Sequence, residues 1–540
     1  MNNLTRSHRY ILSVLSGLLM FISFPYTGSL TFLVFVSWIP LLIVEDTISK
    51  KKYRSSKVYI HALVAFFIYN LGATWWIWNA SAGGAVMAVV LNALIMALVF
   101  LLFHRLKKKY PAAIGYVFLI LTWVSFEFIH FHWDLSWPWL HLGNTFSITP
   151  YLIQWYSITG VLGGTTWILL VNILGFFLVR ELIFKKCHWK SEIKSIIIFL
   201  SVIAVPIICS VYSYFTYKEV INSVEVIAVQ PNIDPYNEKF NTDLKSQLDK
   251  IFFQVDKNVG TQTQFILAPE TAISSTFFEE EFQSLPFYKY MISRKKNWGN
   301  AAFYSGASTL CFFKEKNSTA SRKLEDGLGY IESYNTSLLI DEYDSSYFVH
   351  KSKLVLGVEK IPFLSFIPWL EELAINLDGA SGSLGVEKEP RILKANGLTF
   401  APSICYESIY GDFISQQVNK GAEMIFVITN DGWWGDTPGY KQHASFSTLR
   451  AVENRRSLAR SANTGISCFI NQRGDIVQQT KWWKATSIKG CLNKNNTLTI
   501  YSKYGDFIGR ISLFVLGVYL IFELFLLIKG MNLISFTRKN

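Results

Sequence analysis

The chain has 540 residues, 51% hydrophobic, 16% aromatic and only 17% charged, a balance that excludes both an ordinary soluble enzyme and a disordered chain. The net charge is +12, but 19 Lys and Arg against four acids lie in the two tails and in short connections between apolar runs, so +15 belongs there and about −3 to the rest. Nucleic-acid binding, which needs a basic patch on a folded module, is thereby excluded.

Apolar runs long enough to cross a hydrocarbon core of about 30 Å fall at roughly 10–27, 29–44, 58–79, 84–104, 112–130, 157–179, 195–216 and 508–528, which predicts eight transmembrane helices. Basic residues accumulate on the cytoplasmic side of a membrane. Here they occupy every second connection: Arg6 and Arg9; Lys50 to Lys57; Arg105 to Lys109; Arg180 to Lys194; and Lys529, Arg538 and Lys539. The alternate connections "PYTGS", "NASAG" and "FHWDLSWPWLHLGNTFSITPYLIQ" contain no Lys or Arg. Both termini are therefore expected in the cytoplasm, with 217–507 on the opposite side. The first run follows a positive segment as a signal peptide would, but no small-x-small cleavage site follows it, and it is read as an anchor. Glu127, in "WVSFEFIH", is an intramembrane carboxylate and so a functional candidate by default; the bland alternative is a group near the outer end that reaches water.

From 217 the pattern changes to short β-branched runs alternating with amphipathic stretches. In chain order "SVEVIAVQPNI" reads as strand, "NTDLKSQLDKIFFQV" as helix, and "TQFILAPETA", "AAFYSGAST", "YNTSLLID", "YFVHKSKLV" and "LTFAPSICYE" as strands. "SIYGDFISQQVNKGA" follows as helix and "EMIFVITND" as strand. Such alternation predicts an α/β domain with helices covering its sheets, and polar residues at strand ends are where such sheets place chemistry. The expected division is 1–216 for seven spans, 217–507 for the α/β domain and 508–540 for the eighth span and tail.

Three strand ends stand out. Glu270 closes "FILAPE", Lys351 follows "SSYFVH", and Cys405 closes "FAPSIC" ahead of a helical segment. A thiol in the first turn of a helix meets free N–H groups that favour thiolate, a carboxylate can take its proton, and an ammonium can hold a developing oxyanion. Taken singly, each has a plainer reading: a solvated loop glutamate, a surface lysine, a core cysteine or half of a disulfide with Cys311, Cys468 or Cys491. No CxxC pair and no metal-ligand spacing occurs, so neither metal nor cofactor is expected. Asn430, Asp431, Trp433, Trp434 and Asp436 read as a shaped loop near the site, and Arg450, Glu453, Arg455 and Arg460 as an ion-paired network at helical spacing.

"LAPETA", "KSKLV", "ICYE", "NDGWWGDTPGYKQH", "RAVENRRSLARSANTGIS", "VQPNI" and "WPWLHLGN" stand in the order, and among the spans, of the apolipoprotein N-acyltransferases, the membrane-bound members of the nitrilase or carbon–nitrogen hydrolase superfamily, which the whole chain resembles. The resemblance implies a nitrilase-like four-layer α-β-β-α sandwich on a polytopic helical bundle. It implies Cys405 as nucleophile, Glu270 as general base and Lys351 as stabiliser of the tetrahedral intermediate, supported by Glu359, Tyr406 and Glu407. The implied reaction moves a fatty acyl chain from a glycerophospholipid, typically phosphatidylethanolamine, through a cysteine thioester to the α-amine of a diacylglyceryl-cysteine at the N-terminus of an apolipoprotein. The implied setting is a bacterial inner membrane with a periplasmic catalytic domain, a monomer with lipid and lipoprotein as partners. Two departures stand out: "LVLGVE" replaces the family's "LVPFGE" before Glu359, and "IDPYNEKF" replaces a segment with tryptophan, leaving Tyr236 or Phe240 in its place. For Trp433 and Trp434 loop shaping is the first reading and substrate contact, shared with Phe240, the second. Rival readings are a membrane-anchored amidase with the same triad, and an idle scaffold or transporter.

Overall fold

Helices that are apolar on every side make up the N-terminal part, as burial against lipid and against other helices requires. The computed structural model describes residues 4–239, 241–325, 327–363 and 383–529. Its first compact unit comprises Met1–Trp75, Ala85–Tyr212 and Asp506–Asn540. It holds α1 (Arg6–Ser23), α2 (Ile39–Lys50), α3 (Ser56–Thr74), α4 (Ala82–Val86), α5 (Asn92–Lys107), α6 (Ala112–His130), α7 (Tyr156–Val179) and most of α8 (Ile193–Thr216). Among the described residues seven helical stretches are long and apolar enough to cross a membrane, from Thr31–Lys50 to Phe507–Ile528. The eighth expected span is α1, an 18-residue helix that carries Arg6 and Arg9 and is not one of the seven. Arg538 and Lys539 lie outside the described residues.

Two expectations are corrected here. The second span does not end at 44: α2 continues to Lys50, so Glu45 and Asp46 are helical and buried rather than in a connection. Glu45 is tolerated because His104 and Lys107 of α5 bond to its two oxygens, matching a buried anion with donors. Nor does Glu127 reach water. It is buried on α6 and accepts from Trp123 Nε1 (3.0 Å), the Leu142 backbone N–H (2.9 Å) and Thr165 Oγ1 (2.6 Å), tying α6, the tryptophan-rich connection and α7 together. In that connection Trp139 is buried, with Trp137 stacked on it at 5.6 Å, so part of the segment is core.

The second unit comprises Trp76–Gly84 and Ser213–Gly505. Its strands are β1 (Ser223–Gln230), β2 (Thr263–Leu267), β3 (Ile273–Phe278), β4 (Ala302–Phe313), β5 (Arg322–Lys323), β6 (Tyr330–Ile340), β7 (Ser346–His350), β8 (Leu393–Ala395), β9 (Leu398–Ile404), β10 (Met424–Thr429), β11 (Leu458–Ala462), β12 (Cys468–Ile470), β13 (Ile476–Gln479) and β14 (Thr486–Asn493). The helices are α9 (Leu244–Asp256), α10 (Pro286–Lys295), α11 (Gly411–Asn419), α12 (Pro438–Asn454) and α13 (Ile500–Tyr504). One sheet runs β14-β1-β2-β4-β6-β5, with β3 on β4 and β7 on β6; the other runs β13-β12-β11-β10-β9-β8. The centre of each is parallel, β1-β2-β4 and β9-β10-β11.

Alternation decides what each sheet faces. Val226 and Ala228 of β1, Phe265 and Leu267 of β2, and Tyr304 of β4 point into one core with Phe400 and Ile404 of β9 and Phe426 and Ile428 of β10. The rings of Phe400 and Phe426 lie 4.5 Å apart, and Phe265 approaches Phe426 at 5.3 Å. The intervening residues Ile227, Val229, Ile266 and Phe303 pack outward on Leu248, Ile251, Phe252 and Val255 of α9. With α11 and α12 against the second sheet, the layers are α-β-β-α, and the chain emerges at the ends of β2, β9 and β10, where polar residues collect.

Candidate active site

Glu270 follows β2 by three residues and is buried. Its backbone runs so close to β4 that a Cβ on Gly306 would lie 2.6 Å from Glu270 Cα, so glycine is required there. Lys351 follows β7 and is also buried. Its ammonium donates to Glu270 Oε1 (3.1 Å) and to Glu359 Oε1 (2.8 Å), so two carboxylates straddle one cation. Asn335 of β6 repeats the bridge, its Nδ2 donating to both oxygens at 2.8 Å. Glu270 Oε2 accepts from the Asn430 N–H (3.0 Å) and Glu359 Oε2 from the Val355 N–H (2.8 Å). The altered "LVLGVE" segment therefore still turns, through Gly357 at φ 78°, to deliver Glu359 to the lysine.

Cys405 directly follows β9 and is half-buried. It is a free thiol, as are the other five cysteines, so the disulfide reading is removed. The expected helix N-terminus is absent: Cys405 opens a five-residue 3₁₀ turn, Cys405–Ile409, and α11 begins only at Gly411. The residue itself has φ 51°, a left-handed backbone that costs a non-glycine residue about 1–2 kcal/mol.

The electrostatics follow from this packing. Burial pushes the Glu270 carboxyl up, but the Lys351 charge and the Asn335 bond outweigh it and hold the group below the usual carboxylate range. Burial likewise opposes the Lys351 charge, and Glu270, Glu359 and Cys405 more than offset it, so the ammonium stays charged. Burial and the neighbouring Glu270 charge push the Cys405 thiol well above its ordinary value, against Lys351. The resting state is therefore carboxylate, ammonium and neutral thiol, not the thiolate that a helix terminus would favour. A base beside an intact thiol suits proton transfer during attack.

Glu407, two residues past the thiol, reaches across to the lysine segment. Its oxygens accept from the Ser352 N–H (2.5 Å), the Lys353 N–H (3.4 Å) and the Ile404 N–H (2.8 Å). This bonds the cysteine turn to the chain after β7. The Tyr406 ring is buried edge-on against Tyr410 at 5.4 Å. Trp433 lies against Tyr236 at 5.0 Å, with the Tyr236 hydroxyl donating to its carbonyl (2.8 Å). Trp434 packs on Trp76 (4.8 Å). Phe240 lies outside the described residues.

Residues 226–495, half of the chain, match the carbon–nitrogen hydrolase family model. The chain belongs to the carbon–nitrogen hydrolase family. Residues 16–174 of this carbon–nitrogen hydrolase match a second model, the apolipoprotein N-acyltransferase N-terminal domain. It is 27% identical over 521 residues to the apolipoprotein N-acyltransferase of Chlorobaculum tepidum, covering 95% of this chain and 96% of that one. It is 25% identical to the Haemophilus influenzae apolipoprotein N-acyltransferase over 539 residues, 97% and 94% of the two chains. Among solved structures, the amidase from Nesterenkonia sp. superposes with a TM-score of 0.35 at 14% identity, over 52% of this chain and 95% of that one.

Sequence reasoning missed Asn335, which stands among Glu332, Ser333, Thr336 and Ser337 on β6 and has no signal that sets it apart from them. It missed Lys239 as well, a buried cation that bonds Thr271 Oγ1 (2.7 Å) and whose charge reaches Glu270. The network expected at 450–460 is divided. Arg450 pairs with Glu453 on α12 (2.9 Å), but α12 stops at Asn454, Arg455 takes a left-handed φ of 50°, and Arg460 lies on β11 and pairs with Asp431 (2.8 Å).

Proposed function

We propose that this carbon–nitrogen hydrolase is an apolipoprotein N-acyltransferase. It moves a fatty acyl chain from a glycerophospholipid to the α-amine of the diacylglyceryl-cysteine that begins a lipoprotein. One observation carries the reading: a thiol beside a carboxylate–ammonium–carboxylate array belongs to a chain whose described residues include seven helices long and apolar enough to cross a bilayer. Lifting an acyl chain into water costs about 0.8 kcal/mol per CH₂, so a lipid ester is best attacked at the membrane surface.

Glu270 takes the Cys405 proton as Sγ attacks the ester carbonyl, and Lys351 holds the oxyanion. The ester C–O bond breaks, Glu270 returns the proton to the departing lysophospholipid oxygen, and a thioester remains. The lipoprotein amine then attacks that carbonyl. Glu270 takes the amine proton, the C–S bond breaks, and the proton returns to Sγ. Glu359 and Asn335 keep Lys351 and Glu270 in register; Tyr406 and Glu407 hold the nucleophile turn; Trp433, Trp434 and Phe240 contact substrate. The Lys and Arg asymmetry of the connections supports cytoplasmic termini with the catalytic domain on the opposite side, and the inner-membrane, periplasmic setting is proposed by analogy with the family. Phosphatidylethanolamine is the proposed donor and the monomer the proposed working form.

The test is incubation with acyl-labelled phosphatidylethanolamine followed by intact mass. Label on Cys405 that moves to a diacylated lipopeptide supports the reading. Label lost to water would make the chain an anchored hydrolase, and no label at all would leave an idle scaffold.

A further inference from the structure

A left-handed cysteine stays in place only if its peptide is held. The Cys405 carbonyl oxygen accepts from Ser408 Oγ (2.7 Å) and lies 3.1 Å from His443 Nε2 on α12. Ser408 Oγ is itself 3.1 Å from that nitrogen. The other ring nitrogen, Nδ1, lies 2.8 Å from Asp431 Oδ1 and 2.9 Å from an Arg460 guanidinium nitrogen. Asp431 is fixed in turn, its Oδ2 accepting from Arg460 (2.8 Å) and its Oδ1 from Thr429 Oγ1 (2.8 Å). His443 is 1% exposed, Asp431 and Arg460 are 0%, and the Trp434 ring closes over the imidazole edge-on at 5.6 Å. The ring donates to the Cys405 carbonyl only as the neutral imidazole protonated at Nε2, with Nδ1 accepting from Arg460, which Asp431 holds. Burial and the Arg460 charge keep it in that neutral form.

We propose that His443, clamped by Asp431 and Arg460, is a positioning residue for the acyl transfer: it bonds the carbonyl of the nucleophile and so fixes the left-handed backbone that aims Cys405 Sγ at Glu270 and Lys351. The proposal rests on Cys405 being the acyl-bearing nucleophile. The competing role is a Cys–His–Asp relay, since Sγ, an imidazole nitrogen and a carboxylate oxygen of these residues lie within 4.8 Å of one another. Geometry favours positioning, because Nε2 is spent on the carbonyl and Glu270 already stands by as base. The two roles differ in what the side chain must be. A positioning group needs a polar tip at the carbonyl; a relay needs an imidazole that takes a proton.

The full-length enzyme in detergent, as wild type and as His443→Leu, His443→Gln and Asp431→Asn, is assayed in three ways. These are alkylation of Cys405 by iodoacetamide, read by peptide mass; formation of the Cys405 thioester from labelled phosphatidylethanolamine; and KM for that lipid. Expected are alkylation and thioester formation about tenfold or more slower in His443→Leu, with KM unchanged, most of the rate restored in His443→Gln, and an intermediate rate in Asp431→Asn. Wild-type rates in His443→Leu overturn the proposal. So do equally slow Leu and Gln variants with wild-type melting temperatures, which would make the ring a proton carrier. If His443→Leu does not fold, Asp431→Asn decides: an unchanged alkylation rate refutes the clamp. Persistence of transfer in Cys405→Ala would instead sink the reading of the nucleophile, whatever the His443 variants do.

Discussion

Lys351→Met preserves most of the buried volume and deletes the charge shared by Glu270 and Glu359. At 3.1 Å from Glu270 Oε1 and an effective dielectric constant of about 20, the lost attraction is about 5 kcal/mol; water entering the space reduces it. The two carboxylates are left with Asn335 Nδ2 between them, 2.8 Å from each, and their repulsion acts in the same direction. Glu270 then rises above the usual carboxylate range and holds a proton at neutral pH, while the oxyanion loses a donor worth about 10²–10³ in rate. Thioester formation from labelled phospholipid, followed by quenched intact mass, is expected to fall at least about a thousandfold. The acid limb of Cys405 alkylation is expected to move to higher pH. Thioester formation within tenfold of wild type, or an unmoved acid limb, would refute this account of the lysine.

Three further outcomes are expected. Cys405→Ala abolishes both the acyl-enzyme and transfer to a diacylated lipopeptide, and residual transfer by mass spectrometry would contradict the thioester route. Burial raises the Glu407 carboxyl to about 7 against its backbone donors. With the folded value above the unfolded one, its contribution, about 3 kcal/mol at most, is complete below about pH 4.5 and lost as pH rises through 7. Melting temperature should therefore fall from pH 5 to 8 more steeply in wild type than in Glu407→Gln, and equal slopes would show that another group is responsible. Glu127→Ala strands the Trp123, Leu142 and Thr165 donors in the helical unit. A loss of about 3 kcal/mol or more should appear as a clear drop in melting temperature, and a drop within error would mean that the three donors find other partners.

The strands that carry Glu270, Lys351 and Cys405 were legible because β-branched runs alternate with amphipathic stretches and break at polar residues. The spans were legible by length, except that α2 absorbs Glu45, whose partners on α5 are far away in sequence. What stayed hidden was set by contacts across the chain. "LARSA" reads as polar, yet β11 is buried at every residue, because Arg460 meets Asp431 and Ser461 donates to the Val229 carbonyl (2.7 Å). The electrostatic surroundings of Cys405 are likewise set by residues far away in sequence. Sequence places a helix after it, whereas the residue takes a left-handed turn beside a carboxylate on a distant strand. Asn335 carries no local motif, and the motif that ends at His443 does not show that its ring reaches the Cys405 carbonyl; only the fold brings them to the site.

The pairing of β1 with β14 has a consequence for how the enzyme is made. The first strand of the catalytic unit waits for the last, Ser223 opposite Asn493 and Gln230 opposite Thr486, so its main sheet stays open along one edge until almost the whole polypeptide has been synthesised. A chain truncated short of that final strand keeps the β1 backbone groups that face β14 without their ladder partners.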